Sequence, residues 1–70
     1  MPDIKVTFGK RLRKLRKANG FSQEALAYEA GLDRTYVSSV ERGKRNISLE
    51  NIERLAKALK TPITGLFKVT

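Results

Sequence analysis

Apolar residues recur along this chain at three- and four-residue intervals, and the segments they define are separated by short polar stretches that carry glycine. No stretch alternates convincingly with the two-residue period of a strand. Phe8, Leu12 and Leu15 form a first stripe, closed by Gly20 after Asn19, which predicts a helix over roughly Thr7 to Ala18. Ser48 is placed to cap a later segment in which Ile52, Leu55, Ala56 and Leu59 share one face, with Ile47 able to staple to Ile52. Thr61 with Pro62 at the first helical position then predicts a short last helix through Phe67. With two helices between Gln23 and Val40, the expectation is a compact all-α bundle of five helices.

The central pair carries the most information. Ser22 can cap a helix beginning at Gln23, Phe21 before it can staple to Leu26, and Gly31 after Ala30 can take the left-handed conformation that ends a helix. Asp33 is expected to cap the next helix, with Leu32 stapling to Val37. Ala27 is small where two backbones must cross closely, and Leu26, Leu32, Val37 and Val40 supply a buried ridge. Arg34, Thr35, Tyr36, Ser38 and Ser39 remain mostly polar and face outward. Two short amphipathic helices joined by a tight glycine turn are a helix-turn-helix, a motif that puts the start of its second helix into the DNA major groove. A plain helical hairpin would share the apolar pattern but does not require the caps, turn and small residue together.

Charge makes the same point independently. Lys and Arg number 15 against 7 acidic residues in 70, a net charge of +8, which favours a polyanionic partner such as double-stranded DNA. The chain is read as one domain, residues 1–70 with a core over about 8–67, near the size at which a partner subunit helps stability. With no cysteine there is neither a disulfide framework nor a thiolate metal site, and a reducing cytoplasmic setting is expected. No apolar run approaches membrane-spanning length, the amino terminus lacks a signal-peptide layout, and no repeat or low-complexity segment is present.

Two basic stretches have more than one reading. Lys10, Arg11, Arg13, Lys14, Arg16 and Lys17 make six of eight positions cationic, but residues spread round a helix cannot all face one ligand, so most are assigned to solvent and one or two to DNA. A basic helix lying on anionic lipid is weakened because Phe8, Leu12 and Leu15 are needed for the core. Arg42, Gly43, Lys44, Arg45 and Asn46 follow the second motif helix and can lie along a phosphate strand, or can form an ordinary basic loop.

An enzyme is not expected. Histidine and cysteine are both absent, Ser38 and Ser39 have no evident base nearby, and Glu50 and Glu53 fit a solvated helix face better than an acid-base couple. No catalytic residue, metal or cofactor is assigned.

The segments Ser22-Gln-Glu-Ala-Leu-Ala, Gly31-Leu and Val40-Glu-Arg-Gly-Lys resemble the phage-repressor-type helix-turn-helix family, also called the xenobiotic-response-element family. The resemblance runs from about Phe8 to Phe67 and implies a lambda-repressor-like DNA-binding fold. Asp33-Arg-Thr-Tyr-Val with Glu41-Arg-Gly-Lys-Arg-Asn-Ile-Ser-Leu is further similar to the controller proteins of bacterial restriction-modification systems.

What the resemblance implies is specific. Arg34, Thr35 and Tyr36 would read bases, with Ser38 and Ser39 on the same surface, and Arg34 suits the bidentate contact of arginine with guanine. Gln23 would clamp a phosphate at its helix terminus, while Arg42, Lys44, Arg45 and Asn46 would position the DNA backbone. Arg16 and Glu41 match a family ion pair linking the first helix to the recognition helix. Members bind as homodimers on pseudo-palindromic operators, and in the controllers a carboxy-terminal helix makes the contact. Ile63, Leu66 and Phe67 could supply it, or could simply finish the monomer core. No small-molecule effector is expected in so small a chain. A phage-type repressor, a DNA-binding antitoxin and a basic protein-interaction module are the other readings.

Overall fold

The computed structural model describes residues 3–67, and every regular element among them is helical. Four α-helices follow one another, α1 (Ile4–Ala18), α2 (Gln23–Ala30), α3 (Arg34–Glu41) and α4 (Leu49–Ala58), and a 3-10 segment, Ile63–Phe67, follows α4.

Local chemistry explains most of the boundaries. The Ser22 hydroxyl accepts from the Ala25 N–H at 3.0 Å and the Ser48 hydroxyl from the Asn51 N–H at 3.2 Å, so α2 and α4 begin where their caps predict. Gly31 closes α2 at φ 70° and ψ 32°, and its neighbour Leu32 donates back to the Ala27 carbonyl at 2.8 Å. Phe21, Leu32 and Ile47, the three residues expected to staple, are all half-buried against the core.

Three expectations need correction. Helix α1 starts at Ile4 rather than near Thr7, because the Asp3 carboxylate accepts from the Lys5 N–H at 2.8 Å and supplies a cap upstream of the apolar stripe. Asp33 has the extended backbone of a cap residue but makes no capping hydrogen bond through its side chain. The last segment is a 3-10 turn, with Gly65 N–H donating to the Pro62 carbonyl at 2.8 Å, so the described residues hold four α-helices and not five. Five residues are too few to repay the nucleation of an α-helix, and the tighter i to i+3 turn is the usual form of so short a piece.

The core is built from all five elements. Leu12, Leu26, Val37, Val40, Leu55 and Leu66 are fully buried, and Ala27 lies among them where α2 packs beneath its neighbours. Helix α2 packs on α3 and α4, α1 packs on α3, and the 3-10 segment closes against α1 and α4. Backbone meets backbone where α1 crosses the end of α3. A Cβ on Gly9 would overlap the carbonyl oxygens of Val40 and Glu41, so only glycine admits this approach. That contact fixes the height at which α1 holds the motif.

Candidate nucleic-acid interface

Helix α3 divides its residues by face. Val37, Val40 and Glu41 are buried, whereas Arg34 and Thr35 in the first turn are exposed and Tyr36, Ser38 and Ser39 are half-buried. The anchoring face is therefore apolar and the opposite one polar, which leaves the amino end of the helix standing free of the core.

The carboxy end of α3 is held by charge. Glu41 accepts from Arg16 Nε at 2.6 Å through Oε2 and from Nη2 at 3.1 Å through Oε1, and Arg16 Nη1 also donates to the Phe21 carbonyl at 2.8 Å. Gln23 Nε2 donates to the same Glu41 Oε1 at 3.1 Å. This network joins α1, the α1–α2 connection, the first residue of α2 and the last of α3. Two charges buried together persist because their remaining hydrogen-bonding capacity is filled by Phe21 and Gln23.

Gln23 thereby has one amide hydrogen committed to Glu41, leaving its second donor available at the mouth of α2. Around it lies an open concavity of about 720 Å³, lined by Arg13, Arg16, Ser22, Gln23, Glu24, Arg34, Ser38 and Arg42. Arg13, Arg34 and Arg42, from α1, α3 and the turn after α3, line it together with Arg16, whose charge Glu41 already meets, and with the exposed carboxylate of Glu24. A cationic hollow beside an exposed helix start suits a phosphate oxygen and its counterion-rich backbone.

Arg13 is the residue that periodicity could not single out within the basic run of α1. Its neighbours meet different fates: Arg16 is buried on Glu41, while Lys10, Lys14 and Lys17 are exposed. Only the crossing of α1 over α3 separates them.

The loop after α3 is rooted in the same crossing. Gly43 adopts φ 71° and a Cβ there would press on Val6 of α1, while Lys44 N–H donates to the Ser39 carbonyl at 3.0 Å. Beyond that root Lys44, Arg45 and Asn46 are exposed, and the Arg45 guanidinium carbon lies 4.9 Å from the centre of the Tyr36 ring. Arg42 donates from Nε to the Ser38 carbonyl at 3.4 Å, a weak tether that leaves its tip free to reach outward.

The three apolar residues near the carboxy end do not act alike. Leu66 is completely buried in the monomer core, so it is withdrawn from the expected contact between copies, whereas Ile63 and Phe67 are 45% and 46% exposed. Leu49, at the start of α4, is 81% exposed and joins Ile52, Ile63 and Phe67 around a shallow, mostly apolar hollow of about 330 Å³ that Glu50 and Glu53 also line. A leucine at the first position after the Ser48 cap, three residues ahead of Ile52 at the edge of the stripe, was the missed signal. Among the described residues no helix is long and apolar enough to cross a membrane.

A buried apolar ridge, a glycine turn and an exposed helix start beside a cationic hollow define a helix-turn-helix DNA-binding protein. The chain belongs to the helix-turn-helix family of DNA-binding transcriptional regulators, whose model its residues 12–66 match. Within that family it is similar to restriction-modification controller proteins. It is 50% identical over 68 residues to control protein C.MunI of Mycoplasma sp, covering 96% of this chain and 92% of the relative. Identity to control protein C.BamHI of Bacillus amyloliquefaciens is 50% over 58 residues, or 81% of this chain and 72% of the relative. The restriction-modification controller protein C.AhdI from Aeromonas hydrophila superposes with a TM-score of 0.89 at 59% identity, covering 90% of this chain and 96% of that one.

Proposed function

We propose that two copies of this chain assemble about a twofold axis and lay their α3 starts into successive major grooves of a pseudo-palindromic operator, about 34 Å apart. Arg34, at the exposed first turn of α3, reads guanine through two parallel hydrogen bonds, and Thr35, Tyr36, Ser38 and Ser39 line the rest of the reading surface. Arg13, Gln23 and Arg42 hold one phosphate stretch in the hollow at the start of α2, while Lys44, Arg45 and Asn46 follow the adjoining backbone. Arg16 and Glu41 keep α3 at its angle. Ile63 and Phe67, with Leu49 beside them, form the contact between copies.

The observation that carries this reading is that Arg13, Arg34 and Arg42 line one hollow that runs along α3 at the start of α2. Activity is then occupancy: the protein binds promoter DNA in the cytoplasm, and its concentration and dimerisation set the transcription of restriction-modification genes and of its own gene. No cofactor, small-molecule effector or chemical step enters.

Selection of bound duplexes from a random pool, followed by footprinting, tests the reading. The expected product is an inverted repeat whose half-sites lie about one helical turn apart. Enrichment of a single unrepeated site, or no protected tract on any duplex, would overturn it.

A further inference from the structure

Arg11 belongs to the basic run of α1, where residue type alone suggests solvent or phosphate. Its side chain is instead half-buried, and Nε donates to the carbonyl oxygen of Gly65 at 2.9 Å, 54 residues away. That carbonyl is in the middle of the 3-10 segment. Among the described residues, no other side chain hydrogen-bonds to the backbone of this segment.

A 3-10 turn of five residues has little stability of its own, so its orientation is set by what touches it. Leu66 is sunk in the core, the Phe67 ring centre is 5.3 Å from that of Phe8 on α1, and a Cβ on Gly65 would overlap Thr61 Oγ1. The hydrogen bond from Arg11 is the directional element of this set. Helix α1 makes its other close contacts with α3, through Gly9 and Arg16. One rigid helix therefore carries the DNA-reading element and the Ile63 and Phe67 surface at the same time.

We propose that Arg11 is a positioning residue for assembly on DNA: through the Gly65 carbonyl it sets the angle between the Ile63 and Phe67 surface and α3, and hence the half-site spacing that a dimer accepts. The proposal rests on the reading of that surface as the contact between two copies. A rigid dimer rejects an altered spacing because each added base pair rotates one half-site by about 35° relative to the other. Loosening the 3-10 segment weakens the dimer and flattens that discrimination.

Two variants separate a positioning role from a charge. Arg11→Met keeps the stem and removes the donor, while Arg11→Gln puts an amide N–H at the same number of bonds from Cα as Arg Nε and removes the charge. Sedimentation equilibrium is expected to show a dimer dissociation constant raised about tenfold for R11M and changed less than about threefold for R11Q. Operators lengthened by one base pair should be penalised less by R11M than by the natural chain. Wild-type dimerisation in R11M, or R11Q failing to dimerise, overturns the proposal. So does an equal loss of DNA affinity in both variants with a shallower salt slope, which marks a phosphate contact. Ile63→Asp serves as the control: if it stays dimeric, the surface reading itself fails, and if it is monomeric while R11M dimerises normally, only the Arg11 assignment fails.

Discussion

Arg16 and Glu41 form a buried two-pronged ion pair, Nε to Oε2 at 2.6 Å and Nη2 to Oε1 at 3.1 Å, which fastens α1 to the last residue of α3. Removing one partner strands the other charge away from water, at a cost of about 3–5 kcal/mol. Arg16→Met and Glu41→Gln should each lower stability by that amount in denaturant titrations. The double change Arg16→Met with Glu41→Gln should cost less than the sum of the two single changes, because no charge is then left unpaired.

Gly9 predicts a different kind of failure. Alanine there pushes a methyl group into the Val40 and Glu41 carbonyls, and both belong to backbone that cannot swing aside. Gly9→Ala should cost about 1–3 kcal/mol, the range for overpacking, despite the better helix propensity of alanine. Thermal unfolding checks this, and a variant as stable as the natural chain would show that α1 can ride higher on α3.

Arg34 and Arg42 share one hollow but should differ in what they contribute to binding. Arg34→Ala should cost about 1–3 kcal/mol on the selected operator and much less on random DNA. Arg42→Ala should weaken both alike and reduce the slope of log affinity against log salt by about 0.9. Titrations on the two duplexes at several salt concentrations separate the roles; equal loss from Arg34→Ala on both would make it a phosphate contact.

The Arg45 guanidinium rests over the Tyr36 ring, so these residues should couple. A double-mutant cycle with Tyr36→Leu and Arg45→Ala should return about 0.5–1 kcal/mol in folding stability, and Tyr36→Phe should retain the coupling because the ring face makes the contact.

Leu66 and Ile63 should separate folding from assembly. Leu66→Ala opens a cavity in the core and should cost about 2–5 kcal/mol of stability. Ile63→Asp replaces an exposed side chain and should leave the monomer fold intact while lowering the sedimenting mass. A stable Leu66→Ala variant would contradict its burial.

The central motif was legible because its signals are local. Ser22, Phe21 and Gly31 act within one turn of themselves, and Leu26, Val37 and Val40 repeat at the helical period, so caps, turn and buried ridge follow from neighbouring residues alone. The start of α1 did not follow from the stripe: Ile4 continues the Phe8 and Leu12 spacing, but both Ile4 and Val6 are exposed, so the first turn rests on the Asp3 cap rather than on burial. Nor did five residues around Leu66 contain enough periodicity to show which would turn inward.

The amino-acid sequence by itself determined an all-helical, cationic chain with a helix-turn-helix whose second helix presents Arg34 and Thr35 outward. The family resemblance pointed Arg16 to Glu41, and only the tertiary structure decided between Arg11 and Arg13. Arg11 reaches the Gly65 carbonyl, Arg13 opens onto the hollow beside Arg34, and Arg16 is buried on Glu41. Positions 11, 13 and 16 differ by rotation about one helix axis, and the partner each rotation meets comes from segments distant in the chain, which no local pattern encodes.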